Sequence, residues 1–250
     1  MIARVLIIAG SDSGGGAGIQ ADIKAVSALG GHAMTAITAI TAQNTLGVDA
    51  VHPVPTEMVV AQMNAVLSDI GVDAVKIGMI GSAATAQAVA GELERLAGVP
   101  IVFDPVMVAT SGSALADSDT IAAFTRLMCI ATLTTPNLPE LAALGGEDAV
   151  RAHGCALLVK GGHGTSDLLT DRLIAADGAE TLWQDARIDT LHTHGTGCTL
   201  ASGIATGLAQ GMSLPDAIAR ARAYVRAALS CAPGLGQGHG PMGFPAERFS

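Results

Sequence analysis

The sequence predicts one α/β domain over residues 1–250, a mostly parallel central sheet covered by helices with an antiparallel hairpin at its edge. Three observations lead there. Short apolar runs alternate with segments of helical spacing along most of the chain, the pattern of parallel strands joined by right-handed crossovers. Half of the residues are hydrophobic but only 2% are aromatic, so the core rests on Ala, Val, Ile and Leu, as suits strands buried on both faces. Near Leu168 the alternation stops, and Ala176-Asp177-Gly178-Ala179 between two strand-like runs is a hairpin signal.

The elements follow in order. Val5 to Ala9 is an apolar run ended by Gly10, after which Ile19, Ile23, Val26 and Leu29 recur at helical spacing. Ala36 to Ile40 reads as a strand. Thr56 to Ile70 reads as a helix that turns Met58, Ala61, Met63, Val66 and Leu67 inward. Ala74 to Ile77 and Pro100 to Phe103 are short buried strands, and the helix between them, Ser82 to Ala97, has Ser82 as its N-cap. A helix over Ser118 to Cys129 follows, then strands at Thr132 to Thr135 and Cys155 to Val159 that complete the parallel set. The hairpin pairs Leu168 to Ala175 with Glu180 to Trp183. Helices over Thr199 to Ala209 and Leu214 to Ala232 close the fold, and Gly234 to Gly243 is a glycine-rich irregular tail.

Composition excludes several functions. The net charge is −9 with no basic run, and aromatics are too scarce to stack bases, which argues against nucleic-acid binding. No apolar stretch approaches the ~20 residues of a membrane span. Met1 to Ala9 is too short for a secretory leader. Cys129, Cys155, Cys198 and Cys231 show neither a CxxC pair nor the density of a disulfide scaffold. The expectation is a cytoplasmic protein with no membrane or nucleic-acid partner.

The most informative segment is His192-Thr193-His194-Gly195-Thr196-Gly197-Cys198, which runs directly into a helix. Glycines at a helix start let the backbone turn tightly and leave amide donors pointing outward, where the helix end is partly positive: a place to hold an anion. The same field should favour a thiolate at Cys198. Other strand ends also carry polar residues. Gly10-Ser11-Asp12-Ser13-Gly14-Gly15-Gly16-Ala17-Gly18 lacks both the GxGxxG spacing and a P-loop Lys-Ser/Thr, so it reads as a glycine-floored pocket rather than a phosphate cradle. Asp104 and Glu140 are hard oxygen donors of the kind Mg²⁺ takes alongside phosphates. Among only three lysines, Lys160 ends an apolar strand beside glycines, where a point charge suits phosphate.

Together these segments resemble the hydroxymethylpyrimidine/phosphomethylpyrimidine kinases of thiamine biosynthesis, within the ribokinase-like superfamily. The resemblance rests on Ala9 to Ser13, Gly15 to Asp22, Thr41 to Thr45, Lys76 to Met79, Asp104 to Met107, Thr135 to Glu140, Val159 to His163, His194 to Cys198 and Gly238 to Pro241. It implies a three-layer α/β/α fold, phosphorylation by ATP with Mg²⁺, a flap formed by the hairpin region and a homodimer. It further implies that Gln43 reads an aminopyrimidine edge, with Asp22 near the substrate and Gly10, Met79 and Val106 lining its pocket. Asp104, Asn137 and Glu140 would handle the metal, directly or through water, and Lys160 would meet the ATP phosphates. Gly195, Thr196, Gly197 and Cys198 would form the anion hole, with Cys198 placed as a candidate base. Two departures stand out: Gly14 replaces a more usual Ser, and the connection from Glu140 to Cys155 is short by about one helix. A pyridoxal kinase of the same fold, or a pyrimidine-binding regulator without activity, are the alternatives.

Overall fold

The computed structural model describes residues 2–108, 112, 115–161 and 167–245. Its centre is β1 (Ala3–Asp12), followed by α1 (Gly18–Ala28), β2 (Gly31–Gln43) and β3 (Val48–Pro53). Next come α2 (Thr56–Asp69), β4 (Ala74–Ile77), α3 (Ala83–Leu93) and β5 (Ile101–Phe103). The chain continues through α4 (Ser118–Ile130), β6 (Leu133–Thr134), α5 (Leu138–Ala143), α6 (Glu147–Arg151) and β7 (Ala156–Val159). The hairpin β8 (Leu168–Ile174) and β9 (Glu180–Ala186) and the helices α7 (Thr196–Ala209) and α8 (Leu214–Ser230) complete it.

The described strands form one nine-stranded sheet in the order β3-β2-β1-β4-β5-β6-β7-β8-β9. The run β2-β1-β4-β5-β6-β7 is parallel; β3 and β8 run opposite to it, and β9, antiparallel to β8, runs with it again. Side chains alternate across a strand, so β1 feeds two cores at once. Leu6 and Ile8 join Val59, Met63, Val89, Phe103 and Phe124 on the face covered by α2, α3 and α4. Val5, Ile7 and Ala9 join Val26, Leu200, Ile204 and Ile218 on the face covered by α1, α7 and α8. Three layers result. Among the described residues no helix is long and apolar enough to cross a membrane.

The sequence reading holds for each parallel strand and for the hairpin turn, where Gly178 takes φ 88°. Ser82 caps α3, its hydroxyl accepting from Thr85 N–H at 3.1 Å. Three readings need correction. Met58 and Ala61 face solvent, while Val59 and Met63 are the buried residues of α2. The helix is rotated because Gln62 faces the sheet edge, where its amide bonds both the N–H (2.9 Å) and the C=O (3.2 Å) of Ile37 just beyond the reach of β3. β3 itself was not expected, since it is exposed along nearly its whole length and shows no buried face. Finally α7 begins at Thr196 rather than Thr199, which puts Gly197 and Cys198 inside its first turn.

Candidate active site

Strand order reverses around β1, with β2 on one side and β4 on the other. In open α/β sheets ligands bind beyond the carboxyl ends of the strands at such a point. A cleft of about 990 Å³ opens there. That is the top of the range for small-molecule sites, enough for a nucleotide and a second small ligand together.

Gly10, Gln43, Met79 and Val106 all line this cleft, as the resemblance implied for the substrate side. Asp22 does not. It is fully buried behind the cleft, where its carboxylate accepts from Lys76 Nζ at 2.8 and 2.9 Å and from Ser202 Oγ at 2.7 Å. A charge removed from water needs partners, and Asp22 has found its own within the core. Although burial disfavours the Lys76 ammonium, Asp22 outweighs it, with Cys198 and Asp104 adding, and holds Lys76 above the ordinary lysine value.

The phosphate side is built on strand ends and on the start of α7. Asp104, just past β5, is buried and accepts from Thr135 Oγ1 at 3.0 Å and Lys160 Nζ at 2.9 Å. Burial pushes its carboxyl up, yet Lys160 and Lys76 together bring it below the ordinary carboxylate range. Asn137 and Glu140 form a capping box on α5: Glu140 N–H donates to Asn137 Oδ1 (2.9 Å) and Asn137 N–H to Glu140 Oε2 (2.8 Å). Both residues still line the cleft. Burial raises Glu140 to about 7, with Lys160 opposing and Asp104 adding to the rise. The two short helices α5 and α6 make the connection that looked one helix short. Gly162 and His163 of the lysine motif lie outside the described residues.

At the start of α7, Gly195 sits at φ 87° and no side chain caps the helix. Thr196 N–H is taken up by the Thr193 carbonyl at 3.3 Å, so the expected hole narrows to the amides of Gly197 and Cys198. Lys160 Nζ and Asp104 Oδ2 each lie 3.4 Å from where a Gly197 Cβ would stand, which brings the ion pair against the helix end.

Cys198 does not behave as the helix field alone suggests. Burial pushes its thiol up to about 11; Lys76 opposes this, and the negative charges of Asp22 and Asp104 reinforce it. The group is a neutral thiol at neutral pH. Alkylation by iodoacetamide, read by mass spectrometry, should therefore label exposed Cys129 first and reach Cys198 slowly. Its rate should climb with pH up to about 11 as the thiolate forms. A Cys198 labelling midpoint below pH 8 would contradict this assignment.

Several contacts among the lining residues have no signal in the sequence. Asp12 and His194 meet at 2.9 Å across 182 positions of chain, a contact no local pattern announces. Arg222 bonds Asp171 (2.7 Å) and Asp185 (2.9 Å) and lies 5.9 Å from the centre of the Trp183 ring, which ties α8 to the β8–β9 hairpin beside the cleft.

A doubly covered parallel sheet, with a lysine, two acids and an uncapped helix start converging on one cleft, defines a ribokinase-like kinase. The chain belongs to the phosphomethylpyrimidine kinase family, whose sequence model matches residues 12–243. It is 49% identical to a hydroxymethylpyrimidine/phosphomethylpyrimidine kinase of Rhizobium meliloti, with 97% of both chains covered. Among solved structures it is similar to the phosphomethylpyrimidine kinase of Clostridium difficile, with a TM-score of 0.76 and 34% identity over 90% of this chain and 99% of that one. It is also similar to the pyridoxal kinase of Staphylococcus aureus, solved with pyridoxal and separately with ADP (TM-score 0.89, 30% identity, 98% of this chain and 94% of that one).

Proposed function

We propose that the chain transfers a phosphoryl group from ATP to 4-amino-5-hydroxymethyl-2-methylpyrimidine, and then to the monophosphate to give the diphosphate, in thiamine biosynthesis. One observation supports this most: a single cleft joins the Gln43, Met79 and Val106 wall to the Lys160, Gly197 and Cys198 end. Phosphoryl transfer asks the protein mainly for positioning and charge neutralisation, which is what this layout offers. Amides of Gly197 and Cys198 hold the transferring group, and Lys160 offsets its charge. A neutral Cys198 thiol takes part through its backbone N–H and by filling space beside the reacting oxygen, not as a resident base.

Mg²⁺ fits the donor set. Asp104 and Glu140 offer carboxylate oxygens on the cleft, and among the described residues no group of three or more His, Cys, Asp or Glu could hold an ion alone. Mg²⁺ is commonly bound through one or two carboxylates plus substrate phosphates, so these two residues would share it with ATP. Once bound, it would neutralise charge on the phosphates.

The similarity to pyridoxal kinases favours one second reading, activity on pyridoxal. An ATP-consumption assay with the pyrimidine alcohol, its monophosphate and pyridoxal separates them. The proposal expects kcat/KM to be highest for the two pyrimidines. Preference for pyridoxal would overturn it, and consumption with none of the three would point to a regulator. The cytoplasm is the proposed setting. A homodimer is proposed as well, because Ile40, Leu46 and Val51 stand 52%, 64% and 44% exposed around the β2–β3 edge. Light scattering should give twice the 24.9 kDa chain mass, and the monomer mass at micromolar concentration would refute it.

A further inference from the structure

We infer that His194, held by Asp12, is a positioning residue that locks the Gln43 amide in one orientation and so decides which ring edge the cleft accepts. The inference rests on the proposed pyrimidine kinase reading and concerns the same site. Asp12 is buried, and its carboxylate is surrounded by donors: Gly14 N–H on Oδ1 at 2.8 Å, then Gly16 N–H (3.0 Å), Ala17 N–H (2.8 Å) and His194 Nε2 (2.9 Å) on Oδ2. Burial raises this carboxyl, but the His194 and backbone hydrogen bonds outweigh it and keep Asp12 below its ordinary value. An ionised carboxylate only accepts, so His194 Nε2 carries a proton and points it at Asp12.

That proton sets the neighbouring amide. The Gln43 amide lies 3.3 Å from the same Nε2 on one side and 3.2 Å from Thr41 Oγ1 on the other. With the amide nitrogen toward His194, two donors would face each other. The Thr41 side gives the same answer independently. A hydroxyl has one proton, and the Ser11 carbonyl, 3.1 Å from Thr41 Oγ1, can only accept it. Thr41 Oγ1 then needs a donor from Gln43. Both demands are met when Oε1 faces His194 and Nε2 faces Thr41, the half-turn that leaves the side chain's shape unchanged.

A carboxamide has two N–H donors and an oxygen with two lone pairs. In this orientation Thr41 takes one donor, and the single His194 Nε2–H, shared as a three-centre bond between Asp12 at 2.9 Å and Oε1 at 3.3 Å, takes one lone pair, leaving one donor and one acceptor for a ligand. An aminopyrimidine edge supplies the complement: its exocyclic amine meets Oε1 on the His194 side, and its ring nitrogen meets Nε2 on the Thr41 side. The histidine ring is clamped in place. A Cβ at Gly16 would stand 2.5 Å from His194 Cδ2, and His194 N–H donates to the Gly240 carbonyl at 3.2 Å.

A double-mutant cycle on the full chain tests this, reading kcat and KM for the pyrimidine alcohol and KM for ATP in the parent, His194→Leu, Gln43→Leu and the double variant. His194→Leu should lower kcat/KM for the pyrimidine about tenfold, through a freed amide, with the ATP KM unchanged. In the Gln43→Leu background the same change should cost less than about twofold, because nothing is left to orient. His194→Gln, whose amide N–H reaches toward the Nε2 position, should recover most of the loss. Should His194→Leu fail to fold, His194→Asn, too short to reach that position, takes its place beside His194→Gln. Losses that multiply independently, an ATP KM that rises in parallel, or no recovery in His194→Gln would each overturn the inference. A parent enzyme inactive on the pyrimidine would instead refute the function on which it rests.

Discussion

Lys160→Met is expected to lower kcat/KM by about 10²–10³-fold and to raise the KM for ATP more than that for the pyrimidine. Two causes combine. Lys160 Nζ lies 2.9 Å from Asp104 Oδ1 and beside the start of α7, where the proposed mechanism has it meet the ATP phosphates. It also holds the Asp104 carboxyl below its ordinary value against the opposing effect of burial. Without it Asp104 loses its hydrogen-bonded cation and keeps only the field of Lys76 and the Thr135 hydroxyl, and breaking such a buried pair costs roughly 3–5 kcal/mol. The pair's contribution is present above the ordinary carboxylate range and is lost as pH falls through the depressed value, so the parent's margin over Lys160→Met should shrink in acid. Adding Asp104→Asn to Lys160→Met removes the stranded charge and should restore much of the thermal midpoint while leaving activity low. Recovered activity in the double variant would show that Lys160 only neutralises Asp104.

Gly195→Ala is expected to lower the thermal midpoint by about 5–10 °C and to cut kcat/KM by at least ~10²-fold. Gly195 sits at φ 87°, where a side chain costs roughly 1–2 kcal/mol. The second cost is steric: a Cβ there would stand 1.9 Å from the Gly16 carbonyl oxygen, which is backbone and cannot swing aside. The helix start must move, and the Gly197 and Cys198 amides move with it. Gly178→Ala is the control. Gly178 has φ 88° in the hairpin turn, but its nearest neighbour is the flexible end of Arg151 at 3.6 Å. It should lose about 2–8 °C, from φ strain alone, and no activity. Equal losses in the two variants would mean that strain alone, not the Gly16 contact, fixes the helix start.

The legible parts of this molecule were those written in local patterns. Short apolar runs gave the parallel strands, and polar residues just beyond them gave Asp104 and Lys160, because strand ends are where such a sheet opens to ligands; Gly10, Met79 and Val106, which line the same cleft, came from the family resemblance. Longer-range features were not legible. Asp22, expected near the substrate, stands behind the cleft, bonded by two partners distant in the chain, Ser202 and the cleft-lining Lys76. The field of the helix start favours a thiolate at Cys198, yet burial, with Asp22 and Asp104 nearby, outweighs Lys76 and raises the thiol. Met58 and Ala61 fitted a helical period, but Gln62 turns the helix to serve the Ile37 backbone. In each case a tertiary partner decided between readings that spacing left open.

In the proposed function one cleft holds phosphate at the start of α7 and a pyrimidine edge at Gln43. A crystal structure with a non-hydrolysable ATP analogue and the pyrimidine alcohol bound together tests it most directly. The expected complex has γ-phosphate oxygens on the Gly197 and Cys198 amides with Lys160 beside them, and the pyrimidine edge paired to Gln43 between Thr41 and His194. Phosphates seated instead on the Gly14 to Gly18 loop, with the pyrimidine away from Gln43, would contradict it.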